Sequence, residues 1–360
     1  MIAKCNTTQK LDFLQDRQYS IIKLYKGKLM KTKPNIIGDV RSFMKSRVIL
    51  SGAELDFFSK LDGNFASAED LADLLGLDKK ATTRLLDCLV TYDLLEKEKN
   101  RYRTTEKGSY LSSQNPESVL PMINHMNTIW DNWSRLTDII KKGSGPIFRP
   151  VVDSAHKEDR NAFIGAMHVA AKRISKKIAE AYDLSPFKKL LDIGGGSGAY
   201  TIAFLKKNPQ LNAVIFDLKS VIPITKEKIV ENDLHHRVHF VTGDFYKDDL
   251  PVGCDLALLS AIIHQNSPQQ NLELYRKIYL ALDPGGTLII RDHIMDESRT
   301  NPPAGALFAL NMLVNTPAGD TYTFEEVKDT LETAGFMGIK LVLSGKEMDC
   351  LVEATKPNQK

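Results

Sequence analysis

The chain is 360 residues long, 42% apolar and 26% charged, with a net charge of +3. Those values describe a soluble globular protein with room for two domains, too weakly charged to imply a polyanionic partner. No apolar run nears the roughly 20 residues of a membrane helix, and the N-terminus lacks the apolar core and cleavage site of a secretory signal.

Cys5, Cys88, Cys254 and Cys350 show neither CxxC nor Cys/His spacing. No metal, no disulfide framework and a reduced, cytoplasmic setting are therefore expected. The charge is uneven along the chain. Residues 1–50 hold eleven Lys/Arg against three Asp, which leaves the remainder at 37 against 42, or −5. Residues 1–35 read as a basic N-terminal extension. Ile21, Ile22, Leu24 and Tyr25 among its cations favour a leader helix or dimer-packing arm over contact with nucleic acid or an acidic lipid surface.

Residues 36–115 read as a first domain. Apolar residues recur at helical spacing from about 36 to 61. Ser67 with Asp70 three residues later predicts a capping-box start; Gly76 ends that helix and Asp78 caps another, with Leu85, Leu86, Leu89 and Val90 on one face. "LLEKEKNRYRTT" then predicts two short strands turning near Lys99–Asn100. This is winged-helix order. Such a domain either binds DNA, here through Lys79, Lys80, Arg84 and the wing's Lys97, Lys99, Arg101 and Arg103, or serves as a dimerisation surface. Glu96 and Glu98 dilute the field of the wing, so nucleic acid is the lesser reading.

Residues 116–185 read as helical throughout, interrupted by the Gly/Pro loop "GSGPIFRPVVD". From 186 to 360 the pattern changes to short apolar strands alternating with helices: "KLLDIG", "NAVIFD", "VHFVTGD", "CDLALLS", "GGTLIIRD", "IKLVLS" and "DCLVEAT". Alternation at this spacing predicts an α/β, Rossmann-like domain whose mostly parallel seven-stranded sheet binds ligands at the carboxyl ends of its strands.

The first of these strands runs into "LLDIGGGSGAYTIAF". Gly194, Gly196 and Ala199 fit the dinucleotide pattern G-x-G-x-x-G/A, and Asp217 lies near its expected distance. Three features favour S-adenosylmethionine instead. Asp192 precedes the first glycine by two residues, where it would repel a pyrophosphate yet face a cationic amino-acid group. Asp217 closes the second strand, placed to accept both ribose hydroxyls. Asp244 and Phe245 close the third, an acid and an aromatic side chain for an adenine. A nicotinamide-dependent oxidoreductase remains the rival, resting on the glycine spacing alone.

From about residue 36 onward, "LLDIGGGSGAY", "IFDL", "VTGDFY", "ALDPGGTLIIRD", "NMLVNTPAGDTYTFEEV" and "AGF" together resemble the class I two-domain small-molecule O-methyltransferases of the caffeic acid and acetylserotonin type, with their bacterial relatives. The resemblance implies an α/β, Rossmann-like S-adenosylmethionine-dependent methyltransferase domain joined to an N-terminal all-helical winged-helix dimerisation domain, the wing being its hairpin. It also implies a homodimer, a small-molecule methyl acceptor, S-adenosylhomocysteine as product, and no metal. Asp192, Gly194, Gly196, Gly198, Asp217, Leu218, Asp244, Phe245 and Ser260 then fall at the cofactor; Ser260 stands where plant relatives carry a lysine that touches it.

A phenolic acceptor, with a pKa of about 10, needs a base poised nearer neutrality. His264 follows the fourth strand at the carboxyl edge of the sheet and matches the family's catalytic histidine; Asp292 ends the next strand and matches the carboxylate that orients it. His293 is expected on the opposite face by strand alternation. Phe163 and Met167 match positions that clamp the acceptor, and Asn124 and Met312 are further candidate pocket walls; His125 and His168 beside them are either substrate-facing or solvated. Asn266 replaces the family's usual tryptophan, and Thr321, with Asp320 next to it, replaces a second glutamate, so the imidazole is not expected to be held from two sides. These departures leave open a C, N or S acceptor. A DNA-binding regulator with a cofactor-sensing domain is the reading from another class.

Overall fold

A computed structural model describes residues 35–143 and 157–358. The expected basic extension over 1–35, apart from its last residue, and the loop from 144 to 153 lie outside the described residues. The chain divides into two compact units, residues 1–49 and 50–360. Of the first, the described part is helical: α1 spans Ile36–Glu54 and ends in the second unit. It exposes Ile36, Ile37, Val40, Phe43 and Met44.

The second unit opens with α2 (Phe57–Lys60), which starts at Asp56 with a φ of 57° and buries Phe57 and Phe58 fully. Strand β1 (Ala66–Ser67) leads into α3 (Ala68–Leu75) through the expected capping box: Asp70 N donates to Ser67 Oγ at 3.0 Å and Ser67 N to Asp70 Oδ2 at 3.0 Å. Gly76, at φ 67°, ends α3, and the Asp78 carboxylate caps α4 (Lys79–Thr91), accepting from Ala81 N at 2.7 Å. The wing is β2 (Leu95–Glu98) and β3 (Arg101–Thr104), turning through Lys99 at φ 55°. The expected hairpin gains β1 on its far edge, giving a three-stranded sheet ordered β1-β3-β2, so the helices are not the whole of this region.

After α5 (Glu106–Ser109), the region read as helical on both sides of the Gly/Pro loop holds four helices among the described residues: α6 (Leu120–Thr128), α7 (Trp130–Ser134), α8 (Leu136–Lys142) and α9 (Lys157–Ala181). Helix α9 packs on α6 closely enough that a Cβ at Gly165 would meet Pro121 at 3.1 Å.

The remainder is one seven-stranded sheet in the order β11-β12-β8-β7-β4-β5-β6. Its strands are β4 (Lys189–Ile193), β5 (Asn212–Asp217), β6 (Val238–Thr242), β7 (Cys254–Ser260), β8 (Leu282–Asp292), β11 (Met337–Leu343) and β12 (Cys350–Thr355). All neighbours pair parallel except β12, which runs antiparallel to both β8 and β11. The connecting helices are α10 (Ala199–Lys207), α11 (Ile222–Glu231), α12 (Pro268–Ala281), α13 (Pro303–Asn315) and α14 (Phe324–Thr333), with a two-stranded parallel pair β9 (Ile294–Met295) and β10 (Tyr322–Thr323) beside the sheet.

Strand alternation divides the core in two. Leu190, Leu256, Leu258 and Ile289 pack under α9, α10 and α11; Leu191, Leu259, Leu288 and Ile290 pack under α12 and α14. Both faces are covered, which is why these strands read as unbroken apolar runs. The sheet order reverses beside β4, and the loops at the carboxyl ends of β4, β5 and β7 open there.

Candidate active site

At the end of β4 the chain turns through Gly194, Gly196 and Gly198, at φ values of 66°, 56° and 74°. Side chains resist that left-handed region, so glycine is what the turn requires. Gly194 N donates to Phe216 O at 2.8 Å, holding the turn against β5. A Cβ at Gly194 would lie 3.1 Å from Ile262 and 3.4 Å from Phe245, whereas one at Gly196 would find open space. The turn is thus a backbone cradle with Phe245 and Ile262 as its wall.

Three acids were read at strand ends, and the structure treats them differently. Asp192 is 2% exposed and accepts from Thr201 Oγ1 at 2.6 Å. Burial, opposed by that hydrogen bond and aided by the charge of Asp217, pushes its carboxyl up to about 6. Asp217 accepts from Gly196 N and Leu218 N, each at 2.7 Å, which ties the cradle to β5; burial raises its pKa despite both bonds. Asp244 is half-buried and engaged by Lys247 at 2.8 Å. Burial pushes its pKa up, but the Lys247 hydrogen bond and other nearby groups outweigh it and hold the carboxyl low. These residues fit S-adenosylmethionine: open backbone at Gly196, buried carboxylates at Asp192 and Asp217, and an aromatic wall.

Past β7 a single 3₁₀ turn, Ile263–Gln265, carries His264, which is 9% exposed. Its Nδ1 lies 2.9 Å from both oxygens of Asp292, itself fully buried at the end of β8. Burial raises the Asp292 carboxyl, yet the charge and hydrogen bond of His264, with Arg291 and the His293 amide, more than reverse this and hold it below its ordinary value. The sequence reading places these two side chains together, and 28 residues apart they meet. Phe308 of α13 packs its ring edge-on to the imidazole, centroids 4.9 Å apart. The carbonyl of His264 accepts from Asp320 N at 2.9 Å, while the Asp320 carboxylate turns to Arg299 at 3.6 Å. Among the described residues, Asp292 is therefore the one carboxylate that holds the imidazole.

His293 departs from expectation. Alternation was to send it to the opposite face, but β8 ends at Asp292, and the His293 ring lies 5.1 Å from the same Phe308 ring. Both imidazoles flank one phenyl group. Asn266, fully buried, organises the turn that bears His264. Its amide donates to Asn271 Oδ1 at 2.9 Å, Asn271 donates to Ile263 O at 3.0 Å, and Tyr246 and Tyr322 both hydroxyl-bond to Asn266.

The four candidate acceptor residues fall on two helix pairs. Asn124 and Phe163 are half-buried on α6 and α9, where Phe163 meets His125 edge-on at 5.4 Å, and Met167 follows one turn later on α9. His168 is half-buried, and its Nδ1 lies 2.9 Å from Ser197 in the glycine turn. Met312 is buried on α13, which Trp133 and Asn132 tether to α7 through Asn311 and Asn315 at 3.0 and 2.9 Å. Phe308, one turn before Met312, is the α13 side chain that touches His264; sequence reading missed it, although helical spacing from Met312 pointed to it. Ser260 accepts from Arg291 Nε at 2.9 Å.

Comparison with known proteins gives the family. A family model described as the O-methyltransferase domain matches residues 133–337, and one described as the O-methyltransferase dimerisation domain matches residues 40–114. Acetylserotonin O-methyltransferase of Gallus gallus is 31% identical over 327 residues, 86% of this chain and 94% of that protein. The 3-hydroxy-5-methyl-1-naphthoate 3-O-methyltransferase of Streptomyces sahachiroi is 28% identical over 317 residues, 86% of this chain and 91% of that protein. The crystal structure of human N-acetylserotonin methyltransferase in complex with SAM has a TM-score of 0.78 at 26% identity and covers 92% of this chain and 99% of that one. No helix among the described residues is long and apolar enough to cross a membrane. With a glycine cradle and strand-end acids that fit its cofactor, and with family matches over both halves, the chain belongs to the S-adenosylmethionine-dependent O-methyltransferases.

Proposed function

We propose that the acceptor is an acidic hydroxyl on a small aromatic or conjugated molecule, and that His264 takes its proton. The observation that carries this is the buried His264–Asp292 pair at the carboxyl edge of the sheet, one strand from the glycine cradle. The named relatives methylate acetylserotonin and a hydroxynaphthoate, which supports a phenol-like acceptor.

The bound cofactor supplies an electrophilic methyl group on a sulfonium. Asp192, Gly194, Gly196, Gly198, Asp217, Leu218, Asp244, Phe245 and Ser260 are the residues assigned to hold it. Asp292 accepts from His264 Nδ1–H, which fixes the tautomer and leaves Nε2 as the basic nitrogen. The proton of the acceptor hydroxyl passes to Nε2, and the Asp292 carboxylate, kept ionised, stabilises the resulting imidazolium. Phe308 excludes water from that imidazole, and Phe163, Met167, Asn124 and Met312 form the remaining acceptor walls.

We read residues 36–115 as the dimerisation domain of a homodimer, 116–185 as linker and pocket helices, and 186–360 as the catalytic domain. The dimerisation-domain match supports this. Three of the seven helix and wing cations are occupied by acids: Lys79 by Glu69 and Asp73, Lys97 by Asp87, Arg103 by Glu96. That pairing weighs against a DNA-binding role. The described cysteines Cys88, Cys254 and Cys350 are free, in keeping with a reduced, cytoplasmic compartment.

The test is turnover of a phenol panel with labelled methyl donor, together with calorimetric titration by S-adenosylhomocysteine. His264→Ala should lower kcat by about 10²- to 10⁴-fold while cofactor affinity stays within about two-fold. Equal loss of both would sink the base assignment.

A further inference from the structure

Arg291 is a buried cation without a protein counter-charge. It is 6% exposed and occupies the position before Asp292 in β8, opposite Ser260 of β7 and Leu351 of β12. Its Nε donates to Ser260 Oγ and its Nη1 to Met348 O, both at 2.9 Å, and its guanidinium lies 5.1 Å above the Tyr200 ring. Among the described residues, no carboxylate comes within ion-pair distance of it. The acids nearby are committed elsewhere. Asp292 faces the other side of the sheet and holds His264, Asp349 takes Lys177 at 2.5 Å, and Asp192 takes the Thr201 hydroxyl.

A second buried polar group stands in the same place. Tyr200, 6% exposed in the first turn of α10, buries its hydroxyl beside Ser260 without a well-formed hydrogen bond. Buried charges are ordinarily paired and buried hydroxyls ordinarily bonded, because both lose their water on folding. A guanidinium without a counter-charge and a phenol without a well-formed hydrogen bond together make a site for an anion.

Strand phase says which anion. Leu190, Leu258 and Ile289 share one core layer, so Asp192, Ser260 and Arg291, each two residues further on, lie on that same face. An acid on β4 and a cation on β8 thus stand on one side of the sheet, flanking Ser260 and the end of the glycine turn.

We propose that Arg291 and Tyr200 bind the α-carboxylate of S-adenosylmethionine, opposite Asp192 at its ammonium group, so that the amino-acid end is recognised as a zwitterion. This rests on the reading of the glycine turn as the cofactor site. It also gives Ser260 a role: its hydroxyl steers the guanidinium.

The test is calorimetric titration with three ligands: S-adenosylhomocysteine, its decarboxylated analogue S-adenosyl-3-thiopropylamine, and 5′-methylthioadenosine. Arg291→Gln should weaken S-adenosylhomocysteine by about ten- to a hundred-fold, the range of a charge-assisted hydrogen bond, and leave the other two within about two-fold. Tyr200→Phe should weaken S-adenosylhomocysteine alone, by about five-fold. Equal weakening of all three ligands by both variants would show that these residues only shape the fold and would overturn the proposal. If Arg291→Gln does not fold, the Tyr200→Phe arm and Arg291→Lys, expected to retain part of the carboxylate preference, decide the matter in the same way. Asp217→Ala separates the two levels of inference: it should weaken all three nucleosides, and if it weakens none, the cofactor reading itself fails.

Discussion

Asp192 offers a prediction whose size follows from its surroundings. Buried with Thr201 as its bonded partner, its carboxyl is pushed from 3.8 up to about 6. That difference corresponds to about 3 kcal/mol. The sign follows from proton linkage. Between these two values the folded chain binds more protons at this site than the unfolded chain does, so stability falls as pH rises. The favourable state is the protonated one, fully present below about 4 and lost once pH passes about 6. Asp192→Asn keeps the shape and an acceptor for Thr201 but removes the titration. Urea unfolding of ligand-free wild type and variant, compared between pH 5 and 7.5, should show the wild type losing about 1.5 kcal/mol relative to the variant. Above pH 7 the variant should be the more stable protein and the weaker binder of S-adenosylhomocysteine. Parallel stability curves across that range would refute the account of a strained buried carboxylate.

Asp292→Asn should lower kcat by about 10²- to 10⁴-fold with little change in S-adenosylhomocysteine affinity, because it spoils the imidazole's orientation and leaves the cofactor cradle alone; stopped-assay kinetics with parallel calorimetry measure both. At Gly196, where φ is 56° and the space above is open, alanine should cost the fold only about 1–2 kcal/mol by thermal unfolding yet abolish measurable cofactor binding, since its Cβ would fill the cradle. Asn266→Leu strands the Tyr246 hydroxyl and Asn271 Oδ1, so urea unfolding should register a loss of about 3 kcal/mol, and the surviving protein should show reduced kcat through a loosened His264 turn.

Much of the fold is legible because the rules that build it are local. The Ser67–Asp70 capping box, the Gly76 stop, the Asp78 cap and the wing each depend on neighbours within about four residues, and each forms where the spacing puts it. The glycine turn is legible for the same reason: an apolar run, an acid and residues that tolerate positive φ. So are the strand-end positions of Asp217 and His264, since a parallel sheet brings every carboxyl end to one edge. Local chemistry also supplied a signal that went unread. Lys247, three residues after Asp244, engages that acid.

Other features have no local cause. That Phe308 packs on His264, that Asn266 gathers Asn271, Tyr246 and Tyr322, and that Arg291 finds Ser260 and Tyr200 all depend on elements far apart in the chain. The His293 expectation failed for a related reason: alternation holds only while a strand lasts, and β8 stops one residue too soon. Sequence by itself determined the cofactor turn and the strand ends, because periodicity and turn chemistry act over a few residues, and the histidine–carboxylate pair followed from the family resemblance. Tertiary structure alone decided which buried groups are satisfied and which are left waiting, because a side chain's partners are set by the packing of distant segments against both faces of the sheet.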